Sequence, residues 1–412
     1  MRMIVEQKAS LSVLTASTSA LGRPSERLRL KAMASRDDIS LSVIAADAEN
    51  TSSADFDPLF IRSAYRRWVP GLVSGRVDTI KGVGQTLASV KPDVLHVHQE
   101  PGSLLALQAL RLRDQVAPAT AVVIESEQAD MTLTTGTTTH LERYVLRRVD
   151  ALVVRHKVCL ELSRAHGFTG NGIVAGFGVD TAKYRPGLRS AARAALGVVG
   201  FTIGYLGRLE PESGLADVLE AIATAKCNVN LIIKEQDLVR GTTDAAMHDE
   251  IAARATSLDI ADRVRFIEPN EAIDDVTFLS SLDALVLMRR SVRRWREPYE
   301  HVIPEAQACG TPVIAAGLSG IPTLVGTGGW IVGERDAGLL ARLLQRLATH
   351  PEVAETVSAA ALIHVRQHAS LDAVTHELRR AFDTAVQARQ VYCAGEQRGW
   401  RSISPLPQGY RR

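Results

Sequence analysis

The 412-residue chain predicts an α/β protein made of two doubly wound, Rossmann-like domains that face each other across a cleft. Three observations carry this expectation. Short runs rich in Val and Ile alternate with longer amphipathic stretches, the pattern of parallel strands covered by helices on both faces. The alternation occurs twice, with a Gly- and Pro-rich break at "GFGVDTAKYRPGLRS", residues 176–190. The length also exceeds what one hydrophobic core usually supports.

Taken in order, "MRMIVEQKASLSVLTASTSALG" predicts a first strand and turn. Glu6, Gln7 and Lys8 interrupt its apolar run, so it does not read as a secretion signal. "ISLSVIAAD", "DVLHVH", "TAVVIES" and "DALVV" predict buried strands, with helices in "RVDTIKGVGQTLASV", "SLLALQALRLRDQV" and "THLERYVLRRV". "GVGQTL" at Gly82 lacks the third glycine of a dinucleotide fingerprint and is set aside. The second series of strands is "FTIGYLG", "VNLIIK", "RVRFIE", "ALVLM", "PVIAA" and "GWIVG", again separated by helical periodicity. Residues 1–178 and 179–370 are expected as the two domains, with a closing helix at 371–391 returning to the first. Residues 392–412 lose periodicity and predict a disordered tail.

Composition narrows the function. A formal net charge of +2 lacks the basic excess that nucleic-acid binding normally requires. Cys159, Cys227, Cys309 and Cys393 lie far apart, which argues against a disulfide framework or zinc site and for a reducing cytoplasm. No stretch approaches the ~20 apolar residues of a membrane span. The tracts "IRSAYRRW" and "ERYVLRR" would suit peripheral contact with an anionic membrane surface.

Open parallel sheets bind ligands at the carboxyl ends of their strands. Two turns of the second series qualify. In "GYLGRLEPESGLADVLEA", Gly207 and Gly214 would let backbone N–H groups approach an anion, and Arg208 would add a guanidinium. In "REPYEHVIPEAQACGTPVIAA", residues 296–316, Glu297 lies in a loop and Glu305 on the first turn of a helix that Pro304 suits. The amino end of that helix would face the cleft, ready for a diphosphate, while the two carboxylates would accept hydrogen bonds from vicinal hydroxyls. The plainer alternative is an ordinary turn with a solvated arginine and a favourable first-turn charge.

"EPYEHVIPEAQACGTPVIAA" resembles the signature of the family 4 glycosyltransferases, retaining enzymes with the two-domain GT-B fold. "KPDVLHVHQEP", "YVLRRVDALVV", "GFGVDTAKYRPG", "YLGRLEPESG", "LDIADRVRFIEP" and "SGIPTLVGTGGWIV" resemble further pieces of the family, in the family's order. The match spans about residues 90–350. The resemblance implies a nucleotide-diphosphate sugar as donor and a hydroxyl acceptor, with no further cofactor and no metal. By position it implies that Glu297 contacts the donor sugar, Arg208 the diphosphate and Glu305 the ribose. Gly207, Ser213 and Gly214 would line the phosphate turn, and Pro298, Tyr299, Glu300 and His301 would offer backbone groups. His98, Gln99 and Glu100 would lie on the acceptor side.

Several positions depart from the family pattern. Ser213 stands where members usually carry lysine, and Glu300 where they usually carry glycine. Thr323 replaces a glutamate, Glu125, Glu127 and Gln128 stand where many have histidine, and Gly22 is the only candidate for an early Gly-Gly pair. The run "MRRSVRRWREP" (Arg289, Arg290, Arg293, Arg294 and Arg296) would supply the missing charge, or else form a solvated basic loop. An active retaining transferase, a catalytically weakened binding or regulatory relative, and a nucleotide-sugar epimerase are the competing readings. The Glu-x7-Glu context argues against the epimerase, and Ser213 and Glu300 favour the weakened relative.

Overall fold

The structure is a computed structural model that describes residues 10–17, 24–46, 60–64, 79–126, 137–235, 245–268, 271–291 and 301–401. It contains two all-parallel sheets. The first comprises β1 (Leu11–Ser17), β2 (Ile39–Ala46), β3 (Phe60–Ala64), β4 (Val94–His98), β5 (Ala121–Ser126), β6 (Ala151–Val154) and β7 (Asn171–Val174), in the order β3-β2-β1-β4-β5-β6-β7. The second comprises β8 (Thr202–Gly207), β9 (Asn230–Glu235), β10 (Val264–Ile267), β11 (Ala284–Leu287), β12 (Val313–Ala316) and β13 (Gly329–Val332), in the order β10-β9-β8-β11-β12-β13. Strand order reverses between β1 and β4 and again between β8 and β11. A doubly wound sheet opens a ligand crevice at such a reversal.

The central strands are continuous apolar runs because helices cover both of their faces. Every residue of β4, β5, β6, β8, β11 and β12 is buried. In the first half the chain forms α1 (Pro24–Ala34), α2 (Val83–Val90), α3 (Leu104–Val116), α4 (Thr137–Leu146) and α5 (Lys157–Ala165). The second half adds α6 (Arg189–Leu196), α7 (Leu215–Thr224), α8 (Ala245–Ser257), α9 (Asp275–Ser281), α10 (Val302–Ala308) and α11 (Ile321–Val325). Three helices follow: α12 (Ala337–Thr349), α13 (Pro351–His368) and α14 (Leu371–Arg401). Among the described residues, no helix is long and apolar enough to cross a membrane.

Three local expectations change. β3 and β7 are edge strands without a long apolar run; in β7 a single position, Ile173, is buried. The helix expected in "RVDTIKGVGQTLASV" starts only at Val83. The Gln108 side chain takes the place of a helical partner by accepting from Ile80 N (3.0 Å) and donating to Ile80 O (2.8 Å). The tail does not begin at residue 392, because α14 continues to Arg401. Arg389 donates to Pro118 O (2.8 Å) and holds this end of the helix to the loop after α3. Residues 392–401 contain two glycines, Gly395 and Gly399, and no proline, so the helix can run through them. Residues 402–412 lie outside the described residues.

The last helix returns to the first sheet. Val374, Leu378, Ala381, Phe382 and Ala385 recur at helical spacing and share a core with Val13, Val94, Val123 and Val153. At the crossing, Val179 N donates to Ala369 O (2.7 Å) and Leu371 N donates to Val179 O (3.1 Å). The outward and return passages of the chain between the sheets are thus hydrogen-bonded to each other.

Candidate functional site

The turn after β8 is held by backbone geometry. Tyr205 donates its hydroxyl to Arg208 O (2.6 Å), and Pro211–Ser213 form one 3-10 turn. Gly214 then adopts a left-handed conformation (φ 74°) and caps α7. A Cβ at this position would lie 1.6 Å from Met288 O, so the turn rests directly on the backbone just beyond β11. Ser213 is buried, and its Oγ accepts from Leu215 N (3.4 Å). It serves the entry to the helix and carries no charge.

Two other residues put cations here. Arg208 is 57% exposed and pairs with Glu210 Oε1 (3.2 Å). The opposite oxygen of Glu210 pairs with Arg289 (3.3 Å), which is only 11% exposed. One carboxylate therefore holds two guanidiniums at the carboxyl ends of β8 and β11. Arg290 has a different task. Its N–H donates to Glu212 O (2.9 Å), and its guanidinium grips both oxygens of Asp217 (2.9 and 2.7 Å) in the first turn of α7. The solvated-loop alternative fails for Arg289 and Arg290, while Arg293, Arg294 and Arg296 lie outside the described residues. Replacing Arg290 by Gln is expected to lower unfolding stability by about 1–3 kcal/mol, the worth of charge-assisted hydrogen bonds. Denaturant melts would read this; full stability with weakened nucleotide binding would place Arg290 at the ligand instead.

Glu305 lies on α10, a helix of seven residues entered through the half-buried His301. The residue as a whole is half-buried, but its Oε2 is enclosed and has no hydrogen-bond partner among the described residues. Burial, and then the negative charge of Asp275, push the carboxyl up to about 8, against the opposing influence of Tyr184 and Lys183. Asp275 in turn pairs with Lys234 at the end of β9. Burial also raises the Cys309 thiol, one turn further along, to about 11.

This carboxyl has a consequence for stability. The folded protein keeps a proton that the unfolded chain releases near the ordinary value of 4.5, so the stabilisation is complete below that pH. It is lost as pH rises towards about 8, at a cost of about 2–5 kcal/mol. A Glu305→Gln variant keeps a neutral group and should lack this loss. Denaturant unfolding at pH 5 and pH 8.5 would show the two proteins diverging; parallel slopes would remove the assignment.

At the carboxyl edge of the first sheet lies a closed polar network. Glu125 is fully buried, and its Oε1 accepts from Arg29 (2.6 Å) and Arg155 (2.8 Å). Its Oε2 lies 2.9 Å from His96 Nε2. Glu26 accepts from Arg29 (2.9 Å) and lies 3.2 Å from His98 Nδ1. Although burial opposes a charge, Arg29 and Arg155 hold the Glu125 carboxyl well below its usual range, and burial pushes the His96 imidazole down. The two carboxylates balance two guanidiniums, with the histidines between them.

His98, expected on the acceptor side, is built into this network and is 4% exposed. Gln99 and Glu100 follow it, both half-buried. Gln99 N donates to Glu125 O (3.1 Å), and Glu100 accepts from Ser126 Oγ (2.5 Å). Glu26, Arg29 and Arg155 were not expected at the site, because each is remote in sequence and unmarked by any motif. Glu297, Pro298, Tyr299, Glu300, Arg294 and Arg296 lie outside the described residues, as do Gly22, Glu127 and Gln128. The expected residues thus fall into three described groups: Gly207, Arg208, Ser213 and Gly214 on one turn, His301 and Glu305 on α10, and His98, Gln99 and Glu100 beyond β4.

Comparison with known proteins places this arrangement. Residues 196–362 match the model of glycosyl transferases group 1. D-inositol 3-phosphate glycosyltransferase of Mycobacterium leprae is 34% identical over 227 residues, covering 53% of this chain and 51% of that protein. The protein of the same name from Actinosynnema mirum is 32% identical over 224 residues, 52% of this chain and 51% of that one. The chain thus spans about half the length of the curated relatives it matches. Among solved structures, Anabaena HepE in complex with UDP superposes with a TM-score of 0.69 at 18% identity, over 91% of this chain and 100% of its own. A glycosyltransferase from Rickettsia africae gives 0.70 at 12% identity, over 92% and 99%. At such identities these structures establish the shared GT-B fold. Residues 196–362 are thus similar to the glycosyl transferases group 1, in a chain that has the GT-B fold.

Proposed function

We propose that the protein is a retaining glycosyltransferase that moves a sugar from a nucleotide-diphosphate sugar to a hydroxyl acceptor. The observation that carries this reading is the enclosed, unpartnered Oε2 of Glu305, inside the family-matched segment. A buried polar atom without a partner costs about 1–3 kcal/mol, and a ribose hydroxyl would supply the missing bond. Arg208, Arg289 and the backbone of Gly207–Gly214 would receive the diphosphate, with Arg289 supplying the charge that Ser213 lacks. Glu297 would hold the donor sugar, and Tyr299, Glu300 and His301 would bring backbone groups to it.

In this reading no side chain acts as nucleophile. The departing phosphate oxygen takes the proton of the acceptor hydroxyl as that hydroxyl attacks the same face of an oxocarbenium-like centre. The protein orients the partners and stabilises charge. Guanidiniums and backbone amides would serve in place of a metal ion. HepE is known in complex with UDP-glucose, so uridine donors are the first to test. The names of the curated relatives make D-inositol 3-phosphate the first acceptor. His98, Gln99 and Glu100 would face that acceptor or support the groups that do. Contact with an anionic membrane surface belongs to the same proposal, through the exposed Arg143 and Tyr144 of α4 and Arg147 and Arg148 in the turn after it.

Calorimetric titration with UDP, GDP and ADP, followed by a donor-hydrolysis assay, tests the reading. Binding that Glu305→Ala abolishes, together with turnover of the matching donor, would support it. A protein that binds none of them would be the catalytically silent relative that the uncharged Ser213 favours.

A further inference from the structure

Two turns from opposite halves of the chain meet at His156 and Gly320. His156 lies just beyond the carboxyl end of β6 and α5 starts from it, yet its ring does not cap that helix. The residue is fully buried, with Cys159 Sγ 3.5 Å from each ring nitrogen. A sulfur equidistant from both nitrogens lies over the ring face, because an in-plane approach would collide with Cε1. The second neighbour comes from the other half. A Cβ on Gly320, in the turn between β12 and α11, would lie 2.2 Å from His156 Cγ and Cδ2 and 2.4 Å from Nε2. The ring therefore packs directly on the Gly320 backbone. Backbone conformation does not account for this glycine. Leu318 O accepts from Ile321 N (3.0 Å), which closes a turn with Ser319 and Gly320 at its centre. Gly320 has φ −81° and ψ −9°, open to any residue, whereas Ser319 takes the left-handed position (φ 45°) that glycine would suit better. The missing side chain at residue 320 is explained by the ring from the other half.

We propose that the His156–Gly320 contact is a latch across the cleft: it holds the turns after β6 and β12 together and must part for the cleft to open. Both turns follow the carboxyl ends of their strands, the edges at which parallel sheets bind ligands. Relative motion is the ordinary behaviour of two domains in one chain, and this contact sets how often it occurs. The latch is firmly mounted on the first half. Arg155, next to His156, donates to Glu125 Oε1 (2.8 Å) and to Gly176 O (3.0 Å), at the start of the outward passage between the sheets. Adjacent residues of one turn thus have separate tasks. Arg155 enters the buried network that contains His98, and His156 meets the second half. This inference concerns motion of the two halves and is independent of the ligand the cleft takes.

Amide hydrogen exchange on the full chain, read peptide by peptide, tests the latch without any ligand. Gly320→Ala keeps a permitted backbone but wedges a methyl against the ring. Peptides spanning residues 155–163 and 318–325 should then exchange at least about tenfold faster, while those of β4 and β8 stay within about twofold of wild type. His156→Ala removes the ring and should accelerate the same two peptides. The double variant should exchange no faster than Gly320→Ala alone, because both substitutions break one contact. Acceleration confined to the half that carries the substitution would overturn the proposal, as would wild-type rates in both single variants. Effects that multiply in the double variant would also overturn it, since they would mark two separate local defects. If Gly320→Ala fails to fold, His156→Ala carries the same prediction, read in the opposite half at residues 318–325.

Discussion

If the proposed glycosyl transfer is the reaction, alanine at Arg208 or at Arg289 should each lower it by about 10²–10³-fold, mostly in kcat, the usual cost of removing one preorganised group that faces developing charge. In the proposed reaction the leaving diphosphate gains negative charge in the transition state, and the neighbouring Ser213 offers none of the compensation that a lysine would. Glu210 holds the two guanidiniums close together, at 3.2 and 3.3 Å from its two oxygens. That keeps them from scattering into solvent before the donor arrives. Arg289 is much the less exposed of the two, so its charge is screened less by water and its loss should be felt at least as strongly. The double variant should fall short of the product of the single effects, because the residues share one carboxylate. Steady-state kinetics with the identified donor decide the matter: single variants within threefold of wild type would mean that the charge is supplied elsewhere.

The second large effect is on folding. Gly214→Ala should destabilise the protein by at least about 4 kcal/mol, the sum of left-handed strain and a collision in a packed region. The added methyl would meet Met288 O at 1.6 Å. That oxygen belongs to backbone, which cannot swing away as a flexible side chain can. Relief would have to come from separating the β8–α7 turn from the end of β11, the two elements that carry Arg208 and Arg289. Loss of soluble protein, or a denaturant midpoint far below wild type, is the expected outcome. A variant with wild-type stability would show that the turn does not rest on β11.

Both effects belong to a turn whose glycines and arginine were legible in the chain, and the contrast with the first sheet is instructive. "GRLEPESG" shows a strand-to-helix turn in the sequence because its parts are contiguous: a strand end, a flexible backbone and a helix start within eight residues. The same holds for the alternation of apolar runs that marks the strands, since burial on both faces leaves a local signature. The edge strands β3 and β7 escaped notice because an edge needs no such run. The length of α14 escaped because its anchor, Pro118 O, lies far away in sequence.

The residues themselves thus specified two doubly wound sheets, the helix-entry turn of the second and the position of Glu305, all properties that depend on near neighbours in the chain. Folding in three dimensions settled which cations serve one another. It assigned Arg289 to Glu210 and Arg290 to Asp217, and closed His98 into the Glu26–Arg29–Glu125–Arg155 network. Charge pairing acts through space, so adjacent arginines with the same appearance in sequence can carry opposite assignments.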